Sequence, residues 1–188
     1  MSHLDLSLTV AKQVEAMRKE GGFPSEEALV RLAREIGEAF KGRKDEVAIL
    51  QVSNGGRMLS FLYPVKFQKL GAIPLTSSHS LAARTIREKR GEIVNNFSVY
   101  KHPTVFESVD LSAEEKASPI QKIVSSPMIV DGKVVGVIQV SRKGKAGDVI
   151  GPDFIPGDLA ELNTVGTILG KYVAALPASS AKPGAAKQ

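Results

Sequence analysis

The 188-residue chain has no cysteine and no tryptophan, and three tyrosines. Without cysteine there is no disulfide, no thiolate nucleophile, no cysteine-based zinc site and no iron–sulfur cluster. So few aromatics argue against a surface that stacks nucleic-acid bases. No apolar run approaches the roughly 20 residues needed to cross a bilayer. Residues 1–21 carry Asp5, Glu15 and Glu20 and lack a compact apolar block, so they do not read as a signal peptide. The cytoplasm is the expected location and no membrane partner is expected. The three histidines, His3, His79 and His102, show no HxH or HxxxH spacing. Neither a metal nor a haem is expected. No P-loop or GxGxxG occurs, and no Ser/His/Asp order supports hydrolysis. No catalytic residue is identified, and the chain is not expected to be an enzyme.

What is present suits one domain with appendages. The hydrophobic fraction of 43% supplies a core. A net charge of +5 raises the odds of an anionic partner. Acidic and basic residues alternate along most of the chain, so nucleic acid is not the favoured one. The clusters Lys89-Arg90 and Arg142-Lys143-Gly144-Lys145 read as solvated cations at element ends.

In LSLTVAKQVEAMRKEGG (6–22), Leu6, Val10, Val14 and Met17 form one helical stripe. Gly21-Gly22 ends that helix. Ser25 reads as the N-cap of a second helix, with Leu29, Leu32, Ala33, Ile36 and Phe40 on one face. EVAILQVS (46–53), NGG and RMLSFLYP (57–64) read as a hairpin. SLAARTIREKRG predicts a short helix from about 78 to 90, and EIVNN a short strand. Residues 97–119 lack strand alternation; a short helix is expected near 112–117. Asp131-Gly132, between two β-branched runs, predicts a two-residue hairpin turn. Asp158 reads as the cap of a last helix. Its Leu162, Val165, Leu169, Tyr172 and Leu176 are spaced three, four, three and four, the spacing of a coiled-coil seam.

Three stretches, in this order, resemble the GAF domain family. IPLTSSHSLAARTIREKRGEIVNN (73–96) is similar to that family's strand-to-helix entry and the short strand after it. SSPMIVDGKVVGVIQVSRKG (125–144) is similar to its final hairpin, with Pro127, Gly132 and Gly136 at recurrent positions. PDFIPGDLAELNTVGTILGKYV (152–173) is similar to its closing helix. Asn96 stands where many members have Asp, and the Asn-Lys-Phe-Asp-Glu pattern of cyclic-nucleotide binders is not apparent. The resemblance implies an α+β fold, a central antiparallel β-sheet of five or six strands (GAF/PAS-like). The N- and C-terminal helices would pack on one face. The middle helix and the irregular segment would cover the other, often over a small-molecule pocket. The expected organisation is an N-terminal helix over 1–22, able to dimerise, a GAF-like domain over 23–176 and a disordered tail over 177–188.

The functional reading follows from that likeness. A regulatory module would bind a small cytosolic molecule and signal through a helical homodimer to an unidentified downstream protein. No output module fits in this length, so any signal is expected to pass to another chain. The alternative is a ligand-free scaffold for dimerisation or partner docking. One branch of the family reduces free methionine sulfoxide with cysteines; with none here, that activity is excluded unless its chemistry differs wholly. Ligand contacts are expected from Ser77, Ser80, Asn95, Asn96, Phe97, Tyr100, Phe106 and Gln139. Ser80 and its neighbours surround a helix start, whose amides attract anions, although capping explains serines there as well. The asparagines could equally be turn residues, and the aromatics could plug the core. Val10, Val14, Met17, Leu162, Val165, Leu169 and Tyr172 are expected at the dimer interface, with Gly166 and Gly170 permitting close approach.

The pentapeptides ILQVS (49–53) and VIQVS (137–141) each set a glutamine inside an apolar run. Each glutamine either finds a buried partner or marks where its strand leaves the core. Gln139 is the better candidate to meet a ligand.

Overall fold

The computed structural model describes residues 3–69, 71–97, 118–145 and 147–177. The helix expected near 112–117, Tyr100, Phe106 and the tail from 178 onward lie outside them. Helix α1 (His3–Glu20) and α2 (Glu26–Ala39) lead into strands β1 (Val47–Ser53) and β2 (Met58–Tyr63). Strand β3 (Ala72–Pro74), α3 (Leu81–Glu88) and β4 (Glu92–Val94) follow. The chain then forms β5 (Ile120–Val130), β6 (Lys133–Lys143) and α4 (Pro156–Val173).

Local chemistry sets most boundaries. Ser25 caps α2 as expected: its backbone is extended and its Oγ accepts from Ala28 N at 3.2 Å. Ser80 caps α3, accepting from Ala83 N at 3.2 Å. Helix α4 begins two residues before Asp158. Pro156 takes the first helical turn, where a missing N–H costs nothing, and Asp158 reaches back to accept from Ile155 N at 2.8 Å. Asp131 and Gly132 both have positive φ, 49° and 74°, and close the β5–β6 hairpin as their sequence requires.

The six strands form one antiparallel sheet in the order β3-β2-β1-β6-β5-β4. The β1–β2 and β5–β6 hairpins thus meet at its centre, with Gln51 opposite Gly136 and Ala48 opposite Gln139. A Cβ at Gly136 would collide with the Leu50 carbonyl oxygen, so glycine is what lets β6 lie this close.

Helices α1, α2 and α4 cover one face. Leu6, Val10, Val14 and Met17 of α1 join Leu162, Val165, Leu169 and Tyr172 of α4 in the largest apolar cluster, with Ile49, Val124, Met128, Ile138 and Val140 from the sheet. Each fully buried side chain of this size contributes about 1.5–3 kcal/mol. This corrects the expected dimer seam. Val10, Val14, Met17, Leu162, Val165, Leu169 and Tyr172 are all at most 5% exposed in a single chain. Two apolar stripes needed cover, and α1 and α4 supply it to each other and to the sheet. The close approaches at Gly166 and Gly170 are likewise internal: a Cβ would sit 3.3 Å from Pro127 O and 3.2 Å from Val130 Cγ2 respectively.

A second correction concerns Arg142. It is 5% exposed, not a solvated cap. Its guanidinium donates to Phe40 O at 3.1 Å and Pro152 O at 2.8 Å and lies 4.4 Å from the Phe154 ring centre. Those carbonyls include the C-terminal end of α2, where the helix dipole favours a cation. Burial pulls its pKa below the usual arginine value, while Glu46 and then Asp158 hold it up.

Candidate functional site

Helix α3 lies over the other face of the sheet. Its Ala82 and Ile86 cluster with Leu50, Leu59, Ile73 and Val137, and its Leu81 with Val94 and Ile123. This apolar layer contains one polar line. Gln139 Nε2 donates to Ser125 Oγ at 3.0 Å. Ser125 Oγ lies 2.7 Å from Thr85 Oγ1, and Thr85 Oγ1 donates to Leu81 O at 2.9 Å. The threonine has one proton and gives it to the carbonyl, so the serine proton must point at the threonine. The line therefore has a direction, Gln139 to Ser125 to Thr85 to Leu81. Ser125 is fully buried and Thr85 2% exposed, whereas Gln139 is half-buried. Among the described residues Gln139 Oε1 accepts from no group, which leaves one amide oxygen at the sheet centre open to a donor.

Gln51 answers the same sequence question differently. It faces the terminal helices, where Nε2 donates to Val173 O at 3.3 Å and Pro177 O at 3.4 Å. These carbonyls lie at and just beyond the end of α4, and Val173 O also accepts from Leu176 N at 3.1 Å. Gln51 Oε1 is buried without a partner.

The other expected ligand residues fall in different places. Phe97 packs against the Leu81, Val94 and Ile123 cluster beside the polar line. Asn95 is a clamp: its Nδ2 donates to Phe154 O and its Oδ1 accepts from Phe154 N, both at 2.9 Å. It fixes the loop before α4, with both amide atoms engaged. Asn96 is exposed. Ser80 has its hydroxyl on the α3 cap. Ser77 accepts Arg87 Nη1 at its carbonyl, at 2.9 Å, on the exposed edge of α3. Of these residues, Gln139 and Phe97 lie on the sheet face under α3. Thr85 and Ser125 had not been singled out. Neither was marked by its neighbours: Ser125 is the first of a Ser-Ser pair, and Thr85 sits beside Arg84 in an amphipathic helix.

Among the described residues no three His, Cys, Asp or Glu side chains group as a metal site would. No helix among them is long and apolar enough to cross a membrane.

No protein-family model matches the chain, and neither does any curated protein sequence. Solved structures do match. The GAF domain of an Acinetobacter phosphoenolpyruvate-protein phosphotransferase is 16% identical, with a TM-score of 0.66 over 93% of this chain and 95% of that one. The GAF domain of the corresponding Coxiella burnetii protein is 13% identical, with a TM-score of 0.64 over 92% of both chains. A free methionine-R-sulfoxide reductase from Neisseria meningitidis, solved with its substrate, is 16% identical, with a TM-score of 0.57 over 92% of this chain and 88% of that one. The chain has the GAF-domain fold, an α+β architecture built on a six-stranded antiparallel sheet. The reductases correct the expectation that it is not an enzyme. Structures of this shape include enzymes, so enzymatic activity is open to the chain. The absence of cysteine requires any such chemistry to run without a thiol.

Proposed function

We propose that this chain is a GAF-type module that binds a small cytoplasmic molecule between α3 and the sheet. The observation that carries this reading is Gln139. A half-buried amide at the sheet centre offers an unused acceptor, while its donor side is fixed by Ser125 and Thr85. A surrounding of apolar side chains with a few oriented polar groups is what small-molecule sites use for specificity. The ligand would carry a donor, such as a hydroxyl or N–H, to Gln139 Oε1. Phe97 would supply an apolar wall. Ligand contact at Gln139 would be relayed to α3 along the hydroxyl line, and from there to a downstream protein.

A homodimer through the terminal helices belongs to the same proposal, on a different face from the one first expected. The α1 stripe is used internally, and Leu8, 56% exposed, marks the outward side. The scaffold reading has its own support. The buried hydroxyls are already paired with one another, so the site is stable without a ligand. Calorimetric titration of ligands found in a metabolite thermal-shift screen separates the two. The sensor reading predicts a stabilising metabolite whose affinity falls at least about tenfold in Gln139→Leu. No shift across the library favours the scaffold.

A further inference from the structure

A concavity lies between α1 and α2, on the opposite side of the sheet from α3. Its volume is about 410 Å³, within the range of small-molecule sites. The sequence sets its character. Met17 and Ala28, both buried, are turned inward by the amphipathic pattern and make an apolar floor. One step round α1 from the buried stripe come Lys12, Gln13 and Glu20; Arg31 faces them from α2.

One feature here lacks an internal explanation. Gln13 Oε1 is buried and has no hydrogen-bond partner. Lys12, Glu20 and Arg31 line the same groove as exposed side chains, and none of them makes an ion pair or side-chain hydrogen bond among the described residues. A buried amide oxygen without a donor is uncommon enough to ask for one. Exposed charges of both signs around one concavity give it a potential that suits a ligand carrying both signs.

We propose that this groove binds a small zwitterion, an α-amino acid or a close analogue. Its carboxylate would meet the Arg31 guanidinium, which suits planar two-pronged anions, with Lys12 beside it. Its ammonium would donate to Gln13 Oε1 and face Glu20. Its side chain would lie on Met17 and Ala28. A simple anion would leave the Gln13 oxygen unmet. A simple cation would leave two positive groups unpaired. A zwitterion satisfies all four polar side chains. This site is separate from the one under α3 and does not depend on it.

Ligand-observed NMR with the standard L-amino acids, each added to the full chain, tests the proposal. Calorimetry would follow on any that bind. At least one amino acid should bind, and Arg31→Ala and Glu20→Gln should each weaken it by at least about tenfold. Gln13→Leu should weaken it similarly while remaining folded, because it removes an unpaired acceptor. The N-acetylated and carboxamide derivatives of the same amino acid should not bind. Absence of binding by every amino acid overturns the proposal, and leaves water as the partner of Gln13. Binding that survives Arg31→Ala but is lost in Gln139→Leu belongs under α3 and also overturns it.

Discussion

Gln51 and Gln139 occupy matching pentapeptides and do opposite things. One secures the end of α4 and the other presents an acceptor under α3. Their substitutions should differ accordingly. Gln51→Met removes two long hydrogen bonds but also a buried oxygen with no partner, so chemical denaturation should show a change below about 1 kcal/mol. Asn95→Ala leaves both backbone groups of Phe154 without a partner and should cost about 2 kcal/mol by the same measurement. Arg142→Met strips a charged donor from carbonyls of the α2 end and the Pro152 loop, and a loss of about 3 kcal/mol is expected. The roles of Asn95 and Arg142 were not legible in the sequence for a physical reason. The Phe154 partner of Asn95 lies 59 positions away and the Phe40 carbonyl held by Arg142 102, and nothing local to an asparagine or arginine names a carbonyl so distant. The hairpin at Asp131-Gly132 was legible, because a turn needing two positive φ values is specified by its own two residues.

At the scale of elements, the terminal helices show what periodicity can and cannot say. Spacing identified which residues of α1 and α4 needed cover. It could not say whether the cover was another copy or the same chain, because a seam and a core stripe have the same period. Both stripes close within one chain. Leu169→Ala should therefore destabilise by about 3 kcal/mol in thermal or urea unfolding. Leu169→Glu should abolish cooperative folding; well-folded monomers would contradict this packing. Two buried phenols give the helical layer a pH signature. Burial first, and then Asp45 and Glu26 at Tyr63 and Glu20 at Tyr172, raise both pKa values above the ordinary value. A phenol whose folded pKa is raised keeps its proton longer in the native state. Its contribution is complete below about pH 10 and is lost as pH climbs through the folded value. Unfolding free energy should thus fall above pH 10, and Tyr63→Phe with Tyr172→Phe should flatten the fall. An unchanged slope would show that these phenols do not set it.

At the scale of the whole molecule, the resemblance of residues 73–96, 125–144 and 152–173 to the GAF family led to the expectation of an antiparallel α+β sheet of five or six strands, and the chain has a six-stranded one. The site was legible in part. Gln139 and Phe97 stood out as polar and aromatic breaks near the strands that form it, whereas Thr85 was hidden inside an amphipathic helix and Ser125 inside a strand. Function is a further step, since solved structures of this fold include a phosphotransferase's GAF domain and free methionine-R-sulfoxide reductases alike. A dimer through the outward face of α1 should appear by light scattering and be lost in Leu8→Glu; a monomer in the unaltered chain would remove that part of the proposal.

Native mass spectrometry of the chain purified from its own host reaches the central claim most directly. A small-molecule mass carried by the wild type and absent from folded Gln139→Leu is the predicted result. A wild type that carries no added mass, or a mass retained equally by the Gln139 variant, would contradict a ligand held under α3.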